Sequence, residues 1–507
     1  MKASRTKNSS RNIFWGLINK IIGIIMPFLM RTLIIYILGI QYAGLNSLFT
    51  SVLGMLSLAE LGIGSALTFS MYEPAANDDY SQLAALLNFY KKCFRVIGII
   101  ISVIGIIIVP FIPKLIEGGY PNDINIYVLY GIYLFNSVIS YFMYAYRGSI
   151  LVAYQRNDIQ SNIATIMQLV QYGFQIILLL VFQDYYAYIV VTPFISVGTN
   201  ILTAIYSKKM FPQIKCVGEI DRQKKSDISQ KIKGMIYQKI GGVVLSSVDN
   251  IVISAFLGLT LLGIYNNYYM VITALFGILS VVMNSIIPSI GNAINEKSIE
   301  DNYMDFRKFN FVYYWIVTWF ASCMIGLYQP FIRIWIGEKY LVSNGLMILF
   351  VVYFFIHKWM DMGYVYQEAT GMWWETRYVP IIAAVINLLV NIILVQIIGL
   401  AGILISTIIS VLFVYNTGYI YIIFKNYFRK PIKPYAISQV KYAIGALLTI
   451  GMTYYICVNI HSEGIISILE KVVICAVLPN IFMILLWSRT IEFKGICAML
   501  KRLGRKR

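Results

Sequence analysis

The chain has 507 residues, 59% of them hydrophobic and only 13% charged, with a mean hydropathy of +0.72. That composition excludes a soluble globular protein. The formal charge of +18 is no nucleic-acid signature, because no folded basic domain is present to carry it.

Apolar segments of roughly 20 residues, enough to cross a bilayer, follow one another with few gaps. Fourteen helices are predicted, at about 12–38, 43–72, 93–113, 124–146, 160–182, 186–206, 234–256, 259–290, 309–331, 344–366, 377–399, 401–424, 439–460 and 467–488. The expected fold class is therefore an all-α polytopic membrane protein. The first segment is too long for a cleavable signal, holds Lys20 and Arg31, and is expected to remain as helix one. The long second and eighth segments are expected to tilt or to extend beyond the bilayer. Pro27, Pro110, Pro193, Pro288 and Pro380 fall in or at the ends of helices, where a kink is permitted.

Charge sets the topology. With the N-terminus inside, inward segments and the inner ends of the helices hold 33 of the 41 Lys and Arg residues. Outward loops hold Lys114, Arg333, Lys339 and Lys471, and Lys20, Arg31, Lys239 and Lys358 lie within helices. Both termini are then cytoplasmic, and the basic tail from Lys494 to Arg507 is expected to meet anionic lipids. The longest polar stretch, 207–233, reads as a basic cytoplasmic linker between an N-terminal lobe (1–206, helices 1–6) and a C-terminal lobe (234–424, helices 7–12). Residues 425–507 supply helices 13 and 14 and the tail. No GxxxxGK[ST] loop occurs. The six cysteines show no CxxC spacing, so neither a zinc site nor a redox pair is suggested. With only His357 and His461, a histidine metal site is not expected either, and no cofactor is implied.

An internal repeat supports the division into halves. Lys20, Gly23, Leu38, Gly39 and Gly44 match Lys239, Gly242, Leu257, Gly258 and Gly263 at an offset of 219 residues. In both copies a lysine in an apolar helix precedes a Leu-Gly pair by 18 residues. Ionisable groups in a bilayer are costly, and duplicated halves around a midplane site are the usual build of a secondary transporter. Lys20 and Arg31 share one helix face, about 16 Å apart along the axis. They point to a cationic cavity suited to phosphate oxygens, or else pair with carboxylates or snorkel to the surface. In the second copy Asn250 stands where Arg31 does, with Asp249 beside it. Asp249 balances Lys239, binds a coupling cation or forms a structural ion pair.

Three other places carry candidate chemistry. Glu60, late in helix two, calls for a partner, with Lys20 and Arg31 as candidates, and reads as a packing and gating residue or an ion or proton site. Lys358 and Asp361 are neighbours on one face of helix ten, as a local salt bridge or as a ligand-facing lysine oriented by the aspartate. His357 beside them reads as a core residue. Tyr265, Tyr268 and Tyr269 are candidates for stacking on sugar rings.

Several stretches resemble the polysaccharide-transporter branch of the multidrug/oligosaccharidyl-lipid/polysaccharide exporter superfamily, of O-antigen or teichoic-acid flippase type. They are LGIQYAGLNSLF (38–49), LSLAELGIGSA (56–66), VDNIVIS (248–254), LGIYNNY (262–268) and INLLVNIILV (386–395). The resemblance implies a two-lobed bundle working by alternating access. The cargo it implies is an undecaprenyl-pyrophosphate-linked oligosaccharide, moved from the inner to the outer leaflet of a bacterial cell membrane. Lys20, Arg31, Lys239 and Lys358 would form the cationic path for the pyrophosphate, and Glu60, Asp249 and Asp361 would couple or gate it. The chain is then no enzyme, and acts as a monomer alongside a glycan polymerase or ligase. Two alternatives stand beside this reading. One is a cation-coupled drug antiporter, disfavoured because the helix charges are mainly basic. The other is a polytopic glycosyltransferase or polymerase on the same lipid-linked substrate, disfavoured by short outer loops with few acids.

Overall fold

A computed structural model of the chain describes residues 5–60, 62–460 and 464–504. The described residues are helical throughout, with no strand, and divide into two compact units, 1–266 and 267–507. Eleven helices among them are long and apolar enough to span a membrane, or twelve if the pair Ile126–Phe142 and Ala145–Ala153, bent by 47°, counts as one. The polytopic all-α expectation therefore holds at that level.

Two breaks account for most of the difference from fourteen separate segments. The second predicted helix splits into two helices, each too short to be counted as a span. The seventh and eighth run as one element through a single non-helical residue, Gly258. The basic stretch is also less of a loop than its composition suggests, since a helix begins at Arg222. His461, Glu463 and the last three residues of the tail lie outside the described residues.

The first unit begins with α1 (Arg5–Ile37), α2 (Ile40–Leu56) and α3 (Ile63–Ala76). It continues with α4 (Tyr80–Ile108), α5 (Ile126–Phe142), the short α6 (Gly148–Ala153), α7 (Asn157–Phe182) and α8 (Tyr185–Met210). Part of α9 (Arg222–Glu296), through residue 266, completes it. Capping carboxylates and amides set several starts. Asp79 accepts from the Gln82 amide, Asp184 from that of Ala187, and Asn125 from those of Tyr127 and Val128. α1 packs along α7, α7 along α8, α8 on α5, and α4 on α5 and α3. Asn19 Nδ2 donates to Thr165 Oγ1 at 3.0 Å, tying α1 to α7 by a polar bond. Arg147 stands between α5 and α6. It is buried, and donates to the Ile214 carbonyl at 3.4 Å.

The second unit is organised on α10 (Ile299–Ile336), the most buried of the long helices. Against it pack α11 (Asn344–Trp359) and α12 (Met362–Thr370). α13 (Val379–Ile398), α14 (Leu400–Ser410) and α15 (Thr417–Ile423) follow, with π-helical turns at 411–416 and 424–428. Then come α16 (Lys433–Val458), α17 (Gly464–Trp487) and the amphipathic α18 (Ile491–Gly504), all three packed on α10. Aromatic rings fill the contact. Tyr314 stacks on Tyr442 with centroids 4.5 Å apart, and Trp487 meets both edge-on.

α13 and α14 are joined differently. Gly402 lies against the Leu394 backbone, where a Cβ would come within 2.4 Å of the carbonyl oxygen. That approach lets short polar side chains reach across. Asn387 Nδ2 donates to Thr407 Oγ1 (2.8 Å), Asn391 Nδ2 to Asn387 Oδ1 (3.2 Å) and Ser406 Oγ to Asn391 Oδ1 (2.7 Å). All four residues are essentially unexposed. We predict that Asn391→Leu destabilises the protein by about 1–2 kcal/mol, read as a lower melting temperature in detergent. Asn459→Leu, at an exposed helix end, should leave the melt unchanged.

Candidate functional site

The repeat closes on itself within the first unit. Gly39 (φ +115°) and Gly258 (φ +82°) break the chain at equivalent positions, in backbone conformations that a side chain would strain. Five residues on, Gly44 and Gly263 form reciprocal contacts. A Cβ on Gly44 would lie 2.3 Å from the Leu259 carbonyl oxygen, and one on Gly263 would lie 2.7 Å from that of Ile40. Residues 40 and 259 are themselves equivalent at the same offset. The two copies therefore meet backbone to backbone about a local pseudo-two-fold axis. The other matched glycines, Gly23 and Gly242, face open space.

Arg31 stands at this contact. It is 8% exposed. Nη1 donates to the Ala43 carbonyl (3.2 Å) and Ser47 Oγ (3.1 Å), and Nη2 to the Gly263 carbonyl (2.9 Å). The guanidinium fork thus joins α1, α2 and the second repeat copy, and protein oxygens engage its donors. Asn250 makes the equivalent bond with a smaller group. Asn266 Nδ2 donates to Asn250 Oδ1 (2.9 Å), as Arg31 meets Ser47, and Asn250 Nδ2 crosses to Ser51 Oγ (2.8 Å). Sequence reasoning missed Ser51 and Asn266; Asn266 is the repeat equivalent of Ser47, whereas the contact of Ser51 with Asn250 comes from packing alone. Asp249 is buried beside this contact.

The lysines are placed otherwise. Lys20 lies 17 residues, about 26 Å of helix rise, from the end of α1, and Arg31 about 9 Å from it. The Lys20 distance is close to the about 30 Å of a hydrocarbon core, so a crossing that ends at Ile37 would hold Lys20 near its opposite end rather than at its middle. Lys20 and Lys239 are both exposed, and Lys239 Nζ donates to Ser65 Oγ at 3.3 Å. Among the described residues no carboxylate is within ion-pair distance of either.

Glu60 occupies the break between α2 and α3, a 3₁₀ turn at Ser57–Glu60 followed by Gly62 in a left-handed conformation. Its partner is neither Lys20 nor Arg31, as the sequence suggests, but Tyr141, whose hydroxyl donates to Oε2 at 2.5 Å. Gly64 is needed here, since a Cβ would come within 2.8 Å of the Tyr90 hydroxyl.

In the second unit Lys358 and Asp361 form the expected pair. Nζ and Oδ2 are 2.6 Å apart, with side chains 17% and 12% exposed. The pair brackets the break between α11 and α12. Tyr313 donates to the same carboxylate oxygen (3.3 Å), and Lys358 Nζ lies 4.8 Å from the centre of the Phe276 ring. His357 is held between Phe276 and Tyr353. Two of the three tyrosines are enclosed and present no face for a sugar ring. Tyr265 and Tyr268 are buried, and Tyr268 is covered by Tyr328 and Phe350, with centroids 5.1 and 5.2 Å away. Among the described residues, no group of three or more His, Cys, Asp or Glu could hold a metal ion.

The family profile described as "Polysaccharide biosynthesis protein" matches residues 9–293, which include both repeat copies. The chain belongs to this family. It is also similar in fold to solved structures. A lipid II flippase, MurJ, in an inward closed conformation has a TM-score of 0.64 at 14% identity, covering 94% of this chain and 99% of its own. An inward-facing multidrug resistance MATE family transporter of the MOP superfamily has a TM-score of 0.61 at 14% identity, covering 82% and 98%. A Vibrio cholerae MATE transporter, VcmN, scores 0.55 at 12% identity, covering 84% and 100%. These likenesses establish the fold. No curated protein matches the chain.

Two outcomes follow from the repeat contact. Arg31→Ala removes the hydrogen bonds to the Ala43 and Gly263 carbonyls and to Ser47 Oγ, and should cost about 1–3 kcal/mol, with Arg31→Lys recovering only part. The loss is checked by thermal melts of purified protein. Gly44→Val forces a side chain into the Leu259 backbone and should prevent recovery of monodisperse protein, whereas Gly23→Ala should be recovered at wild-type yield.

Proposed function

We propose that this chain is a flippase that moves an undecaprenyl-pyrophosphate-linked oligosaccharide from the inner to the outer leaflet of a bacterial cell membrane by alternating access, for cell-surface polysaccharide export. The observation that carries this reading is the pair Lys20 and Lys239. They are repeat-equivalent, exposed, and free of carboxylate partners among the described residues. A lysine deep in hydrocarbon costs about 2.5–3.5 kcal/mol in insertion. Near the boundary it costs less, and its ammonium lies at the depth of a lipid pyrophosphate in the nearer leaflet. Under the charge bias that leaflet is the inner one, so the two lysines form the loading end of the path.

The family description supports a polysaccharide-related cargo, and the flippase fold suits a substrate whose tail stays in the bilayer. Counting the two limbs of α9 separately, α2 with α3 as one broken crossing, and α5 with α6 as another supports fourteen crossings with both termini cytoplasmic. We assign helices 1–6 (1–206) and 7–12 (234–424) to two lobes, with 207–233 as the connection and 425–507 as the appended pair and tail. Lys358, oriented by Asp361, extends the cationic path. Glu60 and Asp249 belong to gating or coupling. Arg31 enters as the residue that secures the path's far end, rather than as a pyrophosphate ligand. The chain acts as a monomer, handing its product to a glycan polymerase or ligase. An ion gradient or consumption of product outside drives net transport.

Flipping of a fluorescent undecaprenyl-pyrophosphate oligosaccharide in proteoliposomes tests the reading. Wild type should flip. Lys20→Ala/Lys239→Ala should fall at least about tenfold, as for loss of one charge-assisted phosphate contact, while Lys20→Arg/Lys239→Arg should retain most activity. Equal flipping by wild type and the alanine double variant would remove the lysines from the path. Failure of folded wild type across a panel of glycans would remove the flippase reading itself.

A further inference from the structure

Three of the six cysteines converge in the second unit, from three different helices. Cys457 and Cys475, on α16 and α17, have sulfurs 3.8 Å apart and are 3% and 0% exposed. Gly326 of α10 makes the room. A Cβ there would lie 2.6 Å from Cys475 Sγ and 2.9 Å from Cys457 Sγ. One turn earlier on the same helix, Cys323 Sγ donates to the Cys475 carbonyl at 3.4 Å, and Trp319 Nε1 donates to it at 3.1 Å. The Cys475 backbone is therefore fixed from two sides, with its thiol facing Cys457. Both cysteines are free thiols. Their spacing of 18 residues has no redox signature in sequence, and the antiparallel packing of α16 on α17 creates the pair.

We propose that Cys457 and Cys475 are a modification site, a dithiol that closes to a disulfide under two-electron thiol oxidants. The sulfurs need to approach by about 1.8 Å to reach the bond length of a disulfide. Both lie on well-packed helices, and only small side-chain rotations are required. In the reaction two S–H bonds break and one S–S bond forms. Two protons and two electrons pass to the oxidant, for example a diazenedicarboxamide, which becomes the hydrazine. Cys457 is in the last turn of α16, next to the loop that the topology proposed above places outside, where disulfides persist. The compartment rests on that reading. The pairing itself does not, and its test is independent of transport.

The bridge closes a short loop, so gel mobility would not report it. We therefore specify peptide mass spectrometry of the full-length protein in detergent. The protein is exposed to the membrane-permeant diazenedicarboxamide at 25 °C and again a few degrees below its melting temperature. It is then quenched with N-ethylmaleimide under denaturing conditions. Wild type and Cys323→Ser should yield a Cys457–Cys475 linked peptide, lighter by two hydrogens and reversed by a phosphine. Cys475→Ser should not. The oxidised wild type should melt several degrees above its reduced form, and Cys475→Ser should lose that increment. Full alkylation of both cysteines after oxidation at both temperatures would overturn the proposal. So would a Cys323–Cys475 linkage in place of the assigned one.

Discussion

The structure depends on a contact between two peptide backbones. Gly44 touches the Leu259 peptide group and Gly263 touches that of Ile40, each at a distance that no Cβ tolerates. Helices pack in membranes through van der Waals contact and short polar bonds, because lipid supplies no hydrophobic drive between them. Two glycines facing two carbonyls are the limiting case of that rule. Their approach brings a carbonyl within reach of Arg31 and a serine hydroxyl within reach of Asn250. The broken segments on either side inherit their positions from it.

The two copies use this contact unequally. A guanidinium reaches the Ala43 and Gly263 carbonyls and Ser47, whereas an amide in the equivalent place meets Ser51 and Asn266. The first copy thus carries a buried cation whose desolvation is offset by hydrogen bonds to protein oxygens. A duplicated scaffold can in this way hold one strongly pinned and one lightly pinned arm. The lysines of the same two copies show the opposite behaviour. They remain exposed, away from the glycine contact that encloses Arg31. Position along the helix separates an enclosed cation from an exposed one, though both stand out equally as charges among apolar residues.

The second unit relies on another device. α10 is covered by aromatic rings, while α13 and α14 are cross-bonded by asparagine, serine and threonine. The Asn387–Asn391 spacing of four residues was visible as part of a family-like stretch. Its purpose became clear only when Ser406 and Thr407 of the next helix were seen opposite. The Lys358–Asp361 pair needed no such help, because two residues three apart on a helix are neighbours by geometry alone.

By itself, the sequence determined the all-helical membrane character, the repeat, the two Leu-Gly breaks and the local ion pair. Each follows from composition or from spacing along one helix. Tertiary structure decided which charges are enclosed. Arg31 is bound by groups 12, 16 and 232 residues away, Glu60 by a tyrosine 81 residues on, and Cys457 faces a thiol 18 residues on, on the next helix. Periodicity places a side chain on a face of its helix. What lies opposite that face depends on how the helices pack, and hydrophobic residues that all suit the same lipid leave that choice to a few glycines and short polar groups.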